Sequence, residues 1–572
     1  MQICVLQATY PDGHILREHD EYADPGRYVK QHSFHHRFID KANYHQQIDA
    51  AIAEKFDFYI NFMWGQPEDE VAGVEATEYF ESLNVPFIGL RSHILRKSKT
   101  DLYDAARKKG SPPVPSANPD VFPVIVKAAR SCASQFLSDK SICFTAEERD
   151  AAIANIDRQL QPGRLRALGY PPTDKSKPPT PPLEMKPATV YDLPDDIIVQ
   201  EFIPGVDYSV VVIEFGKTPI ALNPTIYNYP SSEDTNNKYR FLTFDIKFHP
   251  ELSESLVNRD DDPKLFDTLQ RLAVEAFQAN DMAGGSWGNV DIRIKPDGKP
   301  VVIEVNPMPA VFLPPDFGYE ETVIWNSLPG EHRALLNIMM ASYMMRSETY
   351  DNVRQDLIGR VYNRVAPQYD AQYNPQSSAE EVLSRLLSKF NFDGSLLDIA
   401  CGTGLFGRLI RSKQLTHSNG TSLASQKSPH VGLDISSEMA RLAKESGYDH
   451  VFIGPVQEVL PTITESFDHI MCYQAIHFVS AFEVSLVLSR CFQLANKSVT
   501  IGVDEIPEAY NEAIKKLPPP NNVMTSINHV REVRDFGVPR GWKLALEEQV
   551  FGWKSPNTNV DVNTTLFHFE RI

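Results

Sequence analysis

The sequence predicts an α+β part followed by a separate α/β part. Three observations support this prediction. Near the N-terminus, apolar strands alternate with helical periodicity, which is typical of parallel βαβ units. Between about residues 197 and 306, strands follow one another through hairpin-type turns, which indicates a largely antiparallel sheet. After about residue 358, a strand leads through a glycine-rich turn into a new helix. With ~100–200 residues per domain, 572 residues allow three or four structural units.

Each element of the first part is identified from its residue pattern. The stretches ICVLQA (3–8) and FDFYINFMW (56–64) read as buried parallel strands, each followed by a helix. Five later stretches read as strands of the antiparallel sheet: IIVQEF (197–202), YSVVVIEF (208–215), YRFLTFDIKF (239–248), GNVDIRI (288–294) and PVVIEVN (300–306). The last two are joined by the turn KPDG at 295–298.

Two breaks in composition suggest how the chain is divided. A proline-rich stretch at 171–187 is flanked by strand signals and therefore reads as an insertion within a domain. The apolar helix at 331–352 runs into a polar connection, which places a domain boundary near 345–358. The predicted domains are an N-terminal α/β lobe at 1–97, two further lobes at 98–345, a linker at 346–357 and a last domain at 358–572.

Composition limits the classes of function. Hydrophobic residues make up 42% and charged residues 23%, as in globular proteins. The formal charge of −19 disfavours a nucleic-acid or anionic-membrane partner, since such surfaces need clustered Lys and Arg. Six cysteines form no CxxC pair, the N-terminus lacks a signal-peptide pattern, and no apolar run approaches the ~20 residues of a membrane span. We therefore expect no nucleic acid, no membrane and a cytoplasmic location.

The most informative stretch is GNVDIRIKPDGKPVVIEVNPMP at 288–309. In a strand, side chains two residues apart share a face, so Asn289, Asp291 and Arg293 point one way. The returning strand brings Glu304 and Asn306 beside them. Asp291, Glu304 and Asn306 are hard oxygen ligands that suit Mg²⁺ bound to nucleotide phosphates. An ordinary half-buried hairpin shows the same alternation, so the spacing alone leaves both interpretations open.

Residues 1–340 resemble the ATP-grasp superfamily, most closely its D-alanine–D-alanine ligase-like branch. SKTDLYDAARKKGSPPVP (98–115) and FPVIVKAARSCAS (122–134) are similar to the family's two phosphate-contacting segments. The resemblance implies that Lys99 and Lys127 bind the nucleotide phosphates. It also implies a flexible loop after the second lysine, in which Ser131 is a donor. That loop lacks the glycines of relatives.

Further motifs follow in the family's order. IIVQEFIPGVDYSV (197–210) resembles the adenine hinge, and NNKYRF (236–241) resembles a segment with a substrate-side lysine. The residues implied are Gln200, Glu201 and Ile203 at adenine, Asp207 near the ribose, and Lys238 at the substrate. Asn289 stands where the branch usually has an arginine for the oxyanion, and Arg293 is the candidate replacement. The segment PMPAVFLPP (307–315) lacks the small residues that receive an amino-acid carboxylate, so D-alanine is not expected as the substrate.

The implied chemistry is amide-bond formation with release of ADP. A carboxylate takes up the γ-phosphoryl group as an acyl phosphate, and an amine then displaces phosphate. Lysines and Mg²⁺ serve this reaction by neutralising charge. Histidines 32, 35, 36 and 45 could suggest a second metal site, but without ligand spacing they read as solvated or substrate-side groups.

A second site is indicated by SLLDIACGTGLFGRLI at 395–410. It reads as a buried strand, a turn in which Gly402 and Gly404 let the backbone approach a ligand, and the start of a helix. The next strand ends in Asp434, which could bind both hydroxyls of a ribose. On these residues alone, a dinucleotide-binding fold is equally possible.

Residues 358–572 resemble a class I S-adenosylmethionine-dependent methyltransferase. The motifs are LLDIACGTG (396–404), GLDISSEM (432–439), the adenine loop GPVQEVLP (454–461), SFDHIMCYQAIHFV (466–479) and a terminal antiparallel pair at 542–572. The resemblance implies that S-adenosylmethionine is bound by Asp398, Cys401, Gly402, Gly404, Asp434 and Ile435. Pro455 replaces an acid in the adenine loop, so Gln457 or the backbone takes that role.

The candidate base for methyl transfer is His477, with Tyr473 and Gln474 as orienting residues. A structural histidine at a strand end is the alternative interpretation. The nucleic-acid methyltransferase motif is absent, which favours a small-molecule acceptor.

Together the two resemblances predict a bifunctional biosynthetic enzyme that uses ATP, Mg²⁺ and S-adenosylmethionine. Its expected substrates are a small carboxylic or amino acid and an amine, and a homo-oligomer is compatible with the sequence. Two alternatives remain: one domain is an inactive scaffold or cofactor-binding module, or the acceptor is a macromolecule.

Overall fold

The computed structural model describes residues 1–12, 14, 16–17, 21–131, 134–169, 188–230, 239, 241–284, 287–308, 310–315, 319–347, 350–372, 374–417 and 428–572. The predicted proline-rich insertion and Lys238 lie outside these residues. The chain forms two compact units. The first comprises Met1–Glu214 and Pro219–Ser327, and the second comprises Phe215–Thr218 and Leu328–Ile572.

The first unit opens with a parallel four-stranded sheet. Its strands are β1 (Gln2–Ala8), β2 (Ser33–Ile39), β3 (Phe58–Phe62) and β4 (Phe87–Gly89), in the order β2-β1-β3-β4. The accompanying helices are α1 (Tyr44–Ala53), α2 (Val74–Ser82) and α3 (Ser92–Leu95). Leu6, Ile48, Tyr59 and Phe80 meet in the buried core between sheet and helices. The two parallel strands predicted near the N-terminus are therefore confirmed.

A three-stranded antiparallel sheet carries the second lysine. Its strands are β5 (Val124–Ala128), β6 (Ile142–Cys143) and β7 (Ile197–Glu201), in the order β6-β5-β7. Helix α4 (Lys99–Lys109) precedes this sheet in the chain, and helix α5 (Ala146–Ala167) packs against it. Ser98 and Asp101 form a reciprocal capping box, which fixes the start of α4 at Lys99.

The third sheet is antiparallel and has six strands. They are β8 (Val206–Phe215), β9 (Thr218–Ala221), β10 (Thr225–Asn228), β11 (Ser253–Leu256), β12 (Trp287–Ile294) and β13 (Pro300–Asn306). The order is β11-β10-β8-β12-β13, with β9 paired to β8. The helices are α6 (Phe244–Lys247), α7 (Pro263–Ala279) and α8 (Tyr319–Ser327). The buried face of α7 repeats at helical spacing through Leu269, Leu272 and Ala276 and packs against the sheet.

The strand predicted at 239–248 was wrong. Thr243 ends the extended segment because its side chain accepts a hydrogen bond from the Ile246 N–H, 3.3 Å away. This cap starts the short helix α6. A side-chain hydrogen bond to a nearby backbone N–H competes with the backbone hydrogen bonds of a strand. The pattern of apolar residues used for the prediction does not reveal such a bond.

The second unit is a seven-stranded sheet flanked by helices. Its strands are β14 (Leu396–Ile399), β15 (His430–Asp434), β16 (His450–Ile453), β17 (Phe467–Tyr473), β18 (Ala495–Glu505), β19 (Trp542–Lys554) and β20 (Asp561–Arg571). The order is β16-β15-β14-β17-β18-β20-β19. The first five are parallel, and β20 runs antiparallel to β18 and β19. The predicted terminal antiparallel pair is confirmed.

Helices complete the second unit. They are α9 (Glu331–Arg346), α10 (Asn352–Val365), α11 (Tyr369–Gln372), α12 (Ala379–Lys389), α13 (Leu405–His417), α14 (Ser437–Glu445), α15 (Val456–Val459), α16 (Ala481–Leu494), α17 (Glu508–Ile514) and α18 (Val530–Phe536). Helix α9 is buried on most of its surface and packs against α16, so it groups with this unit. That division lies earlier than the boundary predicted near 345–358.

The strand order reverses at β14, which has β15 on one side and β17 on the other. In open α/β sheets, ligands bind at such a switch point, beyond the carboxyl ends of the strands. None of the described helices combines the length and apolar character needed to cross a membrane.

Candidate functional site

The hairpin of β12 and β13 brings the predicted metal set together. Asp291 lies opposite Glu304 in the register, and Asn289 lies opposite Asn306. The Nδ2 of Asn306 donates to one carboxylate oxygen of Asp291 at 3.1 Å, and the Nδ2 of Asn289 donates to the other at 3.3 Å. The four side chains therefore form one polar cluster at the start of β12 and the end of β13.

Lysines surround this cluster. The Nζ of Lys99 lies 3.0 Å from the Oε2 of Glu304 and donates to the carbonyl of Ser131 at 3.0 Å. Burial raises the pKa of Glu304, but Lys99 and Lys127 outweigh it and lower the value to about 2. Burial and the nearby Glu304 raise the pKa of Asp291 well above its ordinary value. Two neighbouring carboxylates, one with a lowered and one with a raised pKa, fit a site that a bound cation would complete.

Lys127 occupies the buried face of β5 and is 5% exposed. Its Nζ donates to the hydroxyl of Tyr103 at 3.2 Å, and that hydroxyl donates to the carbonyl of Ile303 at 2.6 Å. Burial lowers the pKa of Lys127. The desolvated ammonium is thus oriented by Tyr103, a residue of α4 that the sequence did not single out.

The predicted adenine and ribose residues line the same cavity as the lysines, a space of about 100 Å³. The buried Oε1 of Gln200 has no hydrogen-bond partner among the described residues, and Ile203 is buried. Glu201 pairs with Lys295 at 2.6 Å. Gln200 therefore leaves an acceptor for a ligand, whereas Glu201 is already paired.

Two other predicted residues are tied to each other. The Nε of Arg293 lies 3.1 Å from Asp207, and its Nη2 donates to the carbonyl of Gly205 at 2.9 Å. Tyr229 also donates to Asp207. The ribose role of Asp207 and the oxyanion role of Arg293 both stay predictions. The cavity also contains Lys247 of α6, which the sequence analysis missed because the segment was read as a strand.

The side chains present fit Mg²⁺. Among the described residues, no group of three or more His, Cys, Asp and Glu side chains has the spacing of a metal site. The hairpin cluster instead offers two carboxylates and an amide. Mg²⁺ usually binds through one or two carboxylates together with substrate phosphates and water, so such a set suits a nucleotide-bound ion.

The second site lies at the carboxyl ends of β14 and β15. The two carboxylate oxygens of Asp434 accept hydrogen bonds from the Gly402 and Ser436 N–H groups, each at 2.9 Å. Gly402 and Gly404 have φ of +51° and +85°, a backbone region that favours glycine. The turn and the acid are thus joined directly, and each oxygen of Asp434 retains a lone pair for a ligand hydroxyl. Burial raises the pKa of Asp434 to about 6.

Asp398, in β14, is linked through Tyr448 to the start of α13. Tyr448 donates its hydroxyl proton to Asp398 and accepts from the Gly407 N–H at 3.0 Å. Burial raises the pKa of Asp398 to about 7. Cys401 and Ile435 line the cavity beside it, and their roles in cofactor binding stay predictions.

The far end of this cavity holds His477. Its Nδ1 lies 3.3 Å from the Oδ2 of Asp504, at the end of β18. Asp504 is 1% exposed and also accepts hydrogen bonds from the Trp553 indole at 3.0 Å and from the Thr564 hydroxyl at 2.7 Å. The Nε2 of Gln474 donates to Thr564 at 3.1 Å. The buried carboxylate of Asp504, which was not predicted from the sequence, therefore lies beside the His477 ring, although the Nδ1 of His477 makes no hydrogen bond within the described residues.

One cavity of about 270 Å³ joins the two ends of this site. Asp434 and Gln457 line one end, and His477 lines the other. Aromatic pairs form the wall near His477: Tyr510 meets Trp553 edge-on with ring centroids 5.7 Å apart, and Tyr362 meets Phe478 at 6.2 Å. Polar groups near Asp434 and aromatic side chains near His477 suit a cofactor beside the first and a largely apolar acceptor beside the second.

Two family models match the chain. Residues 184–312 match the model described as D-ala D-ala ligase C-terminus, and residues 397–503 match the model of a methyltransferase domain. No curated protein matches the chain.

Solved structures are similar to each part. The D-Ala:D-Ser ligase from Enterococcus faecalis is 13% identical over 60% of this chain and 99% of its own, with a TM-score of 0.36. The L-amino acid ligase from Bacillus licheniformis is 10% identical over 59% of this chain and 74% of its own, with a TM-score of 0.35. The magnesium protoporphyrin IX methyltransferase from Synechocystis, solved with bound SAH, is 16% identical over 40% of this chain and 91% of its own, with a TM-score of 0.25.

Proposed function

Since the chain joins a D-alanine–D-alanine ligase-like ATP-grasp part to a class I methyltransferase domain, we propose that it is a bifunctional enzyme of small-molecule biosynthesis. Its cofactors are ATP with Mg²⁺ in the first part and S-adenosylmethionine in the second. The first reaction is ADP-forming ligation of a carboxylic or amino acid to an amine through an acyl phosphate. The second is N- or O-methylation of the product or of a precursor.

The observation that carries the ligase proposal is the cluster of Lys99, Lys127, Asp291 and Glu304 in one cavity. Phosphoryl transfer needs positioning and neutralisation of charge more than covalent chemistry. Bound Mg²⁺ supplies charge neutralisation at the phosphates. Lys99 and Lys127 bring two further positive charges to the same place, and the Oε1 of Gln200 accepts a hydrogen bond from the base.

For the methyltransferase, the support is the bond between Gly402 and Asp434 at one end of the cavity and the His477–Asp504 pair at the other. Bound S-adenosylmethionine supplies the methyl group. The protein mainly positions the acceptor. His477 takes the acceptor proton, and Asp504 stabilises the resulting imidazolium and fixes the ring.

The remaining proposals concern setting and partners. We propose a cytoplasmic enzyme of specialised metabolism that acts on small molecules without nucleic acid and is compatible with a homo-oligomer. Five cysteines of the described residues are buried and unpaired, which supports a reducing compartment.

The experiment that tests the proposal measures ADP release by the purified chain with ATP, Mg²⁺ and pools of amino acids, with and without S-adenosylmethionine. Mass spectrometry of each pool should reveal a condensation product of two members, and an added CH₂ where the methyl donor is present. ADP release without methylation in any pool would support the alternative that the methyltransferase domain is an inactive scaffold. Methylation without ADP release would support the same alternative for the ligase part.

We expect Asp504→Asn to lower kcat for methylation by about 10- to 100-fold at neutral pH, because the imidazolium loses its buried counter-charge. The measurement is the pH–rate profile with the acceptor identified by that screen. His477→Gln should lose the same activity, and the double variant should be no worse than His477→Gln. Independent, multiplicative losses would contradict a shared role of the two residues.

A further inference from the structure

A chain of three side chains runs beside the cofactor end of the second cavity. The hydroxyl of Tyr350 donates to the Oε1 of Glu483 at 2.6 Å, and the Nε2 of Gln457 donates to the hydroxyl of Tyr350 at 2.9 Å. Glu483 and Gln457 are 3% and 1% exposed. Tyr350 precedes α10 and belongs to none of the cofactor motifs.

Glu483 determines the direction of both hydrogen bonds in this chain of side chains. Glu483 is the third residue of α16, and its Oε2 accepts the Ser480 N–H at 2.6 Å in a capping box. Both carboxylate oxygens of Glu483 act as acceptors here, one for the Ser480 N–H and the other for the Tyr350 hydroxyl. Burial and then Glu483 raise the pKa of Tyr350, so the phenol keeps its proton. The Tyr350 hydroxyl donates this single proton in its hydrogen bond to Glu483.

In its contact with Gln457, the hydroxyl oxygen of Tyr350 can therefore act only as a hydrogen-bond acceptor. Gln457 must present its NH₂ group to Tyr350, since its carbonyl oxygen has nothing to donate. Within the described residues, this bond is the one hydrogen bond of the Gln457 side chain. Gln457 also lines the cavity, next to the loop that follows β16. The amide atom left for a ligand is the acceptor Oε1.

We infer that Tyr350 and Glu483 are positioning residues that hold the carbonyl of Gln457 towards the cofactor and so select a purine with a 6-amino group. This inference rests on the proposed binding of S-adenosylmethionine by the second unit. An amino group donates a hydrogen bond to Oε1. A 6-keto group would place an acceptor against an acceptor, and the amide cannot rotate to correct this while Nε2 is bound to Tyr350.

The test compares the Kd of S-adenosylhomocysteine with that of S-inosylhomocysteine, which carries a 6-keto purine, by calorimetry on the full chain. We expect the native protein to prefer the adenosyl compound by roughly 10- to 100-fold, because the alternative leaves a buried acceptor unsatisfied. In Tyr350→Phe the amide is free to rotate, and the preference should fall by about tenfold.

A double-mutant cycle shows whether Tyr350 acts through the amide. Gln457→Leu should lose the preference, and adding Tyr350→Phe should change nothing further. The control is Tyr343→Phe, in α9, which should keep both affinities. A preference that survives in Tyr350→Phe overturns the inference. If the native protein binds neither compound, both the inference and the methyltransferase proposal fail. If it binds both compounds equally well, only the inference fails.

Discussion

Glu304→Gln is expected to lower ATP-dependent ADP formation by at least about 100-fold. The substitution removes a carboxylate that suits Mg²⁺ and leaves the Lys99 ammonium without the ion pair it now makes at 3.0 Å. It also relieves the charge on Asp291, whose raised pKa depends partly on Glu304. The measurement is ADP release with the acid and amine found by the screen.

A control variant exists on the same hairpin. Asp297→Asn changes a carboxylate at the exposed turn, where it pairs with Lys299, and should leave ADP release unchanged. Cofactor binding by the second unit should be the same in both variants. Normal ADP turnover by Glu304→Gln would show that the hairpin cluster does not hold the ion.

Asp434→Ala is expected to weaken binding of S-adenosylmethionine by about 100-fold, because two hydrogen bonds to a charged group are lost. Calorimetry measures the affinity, and ligase activity should be unaffected. Since burial raises the pKa of Asp434 to about 6, the native affinity should also fall as the pH is lowered through about 6. Ligand hydroxyls donate to the ionised carboxylate, so binding favours the charged form and rises with pH.

The conservative variant separates binding from folding. Asp434→Asn keeps one oxygen that accepts a backbone N–H but loses the charge, so its affinity should be pH-independent near pH 6. Glu438→Gln, on α14, tests removal of a nearby surface charge and should bind normally. If Asp434→Ala binds as tightly as the native protein, the ribose is held elsewhere.

The sequence predicted those parts of the sites that lie within one regular element or across one tight turn. Alternation with a period of two placed Asn289 and Asp291 on one face of β12, and Glu304 and Asn306 on one face of β13. A register shift between Asp291 and Ile292 then pairs Asp291 with Glu304, and the sequence did not predict this bulge. The glycine turn and Asp434 were found because the turn directly follows one predicted strand and Asp434 ends the next. Alternation within a strand and the position of a residue at a strand end are local rules, whereas the bulge in the β12–β13 hairpin is not one of them.

The partners that orient these residues were missed because they come from distant segments. Asp504 reaches His477 from the next strand, and Trp553 and Thr564 join it from the final antiparallel pair. Tyr103 reaches Lys127 from helix α4, which lies earlier in the chain than β5. Each contact depends on how sheets and helices pack, and periodicity in the sequence carries no information on that packing. An Asp in the apolar run SVTIGVDEI was the one available signal.

The ion pair between Lys99 and Glu304 has a thermodynamic consequence for the order of loading. One carboxylate cannot serve a lysine and a divalent cation equally well, so if Glu304 is a ligand of Mg²⁺, as proposed, Lys99 and the ion would compete for it. Phosphate oxygens give Lys99 another partner and thereby release Glu304 to the ion. Nucleotide and metal are therefore linked ligands, each raising the affinity of the other by the same factor. In the proposed site, Glu304 is paired with Lys99 at 3.0 Å, and the ion would bind more tightly once the nucleotide gives Lys99 another partner.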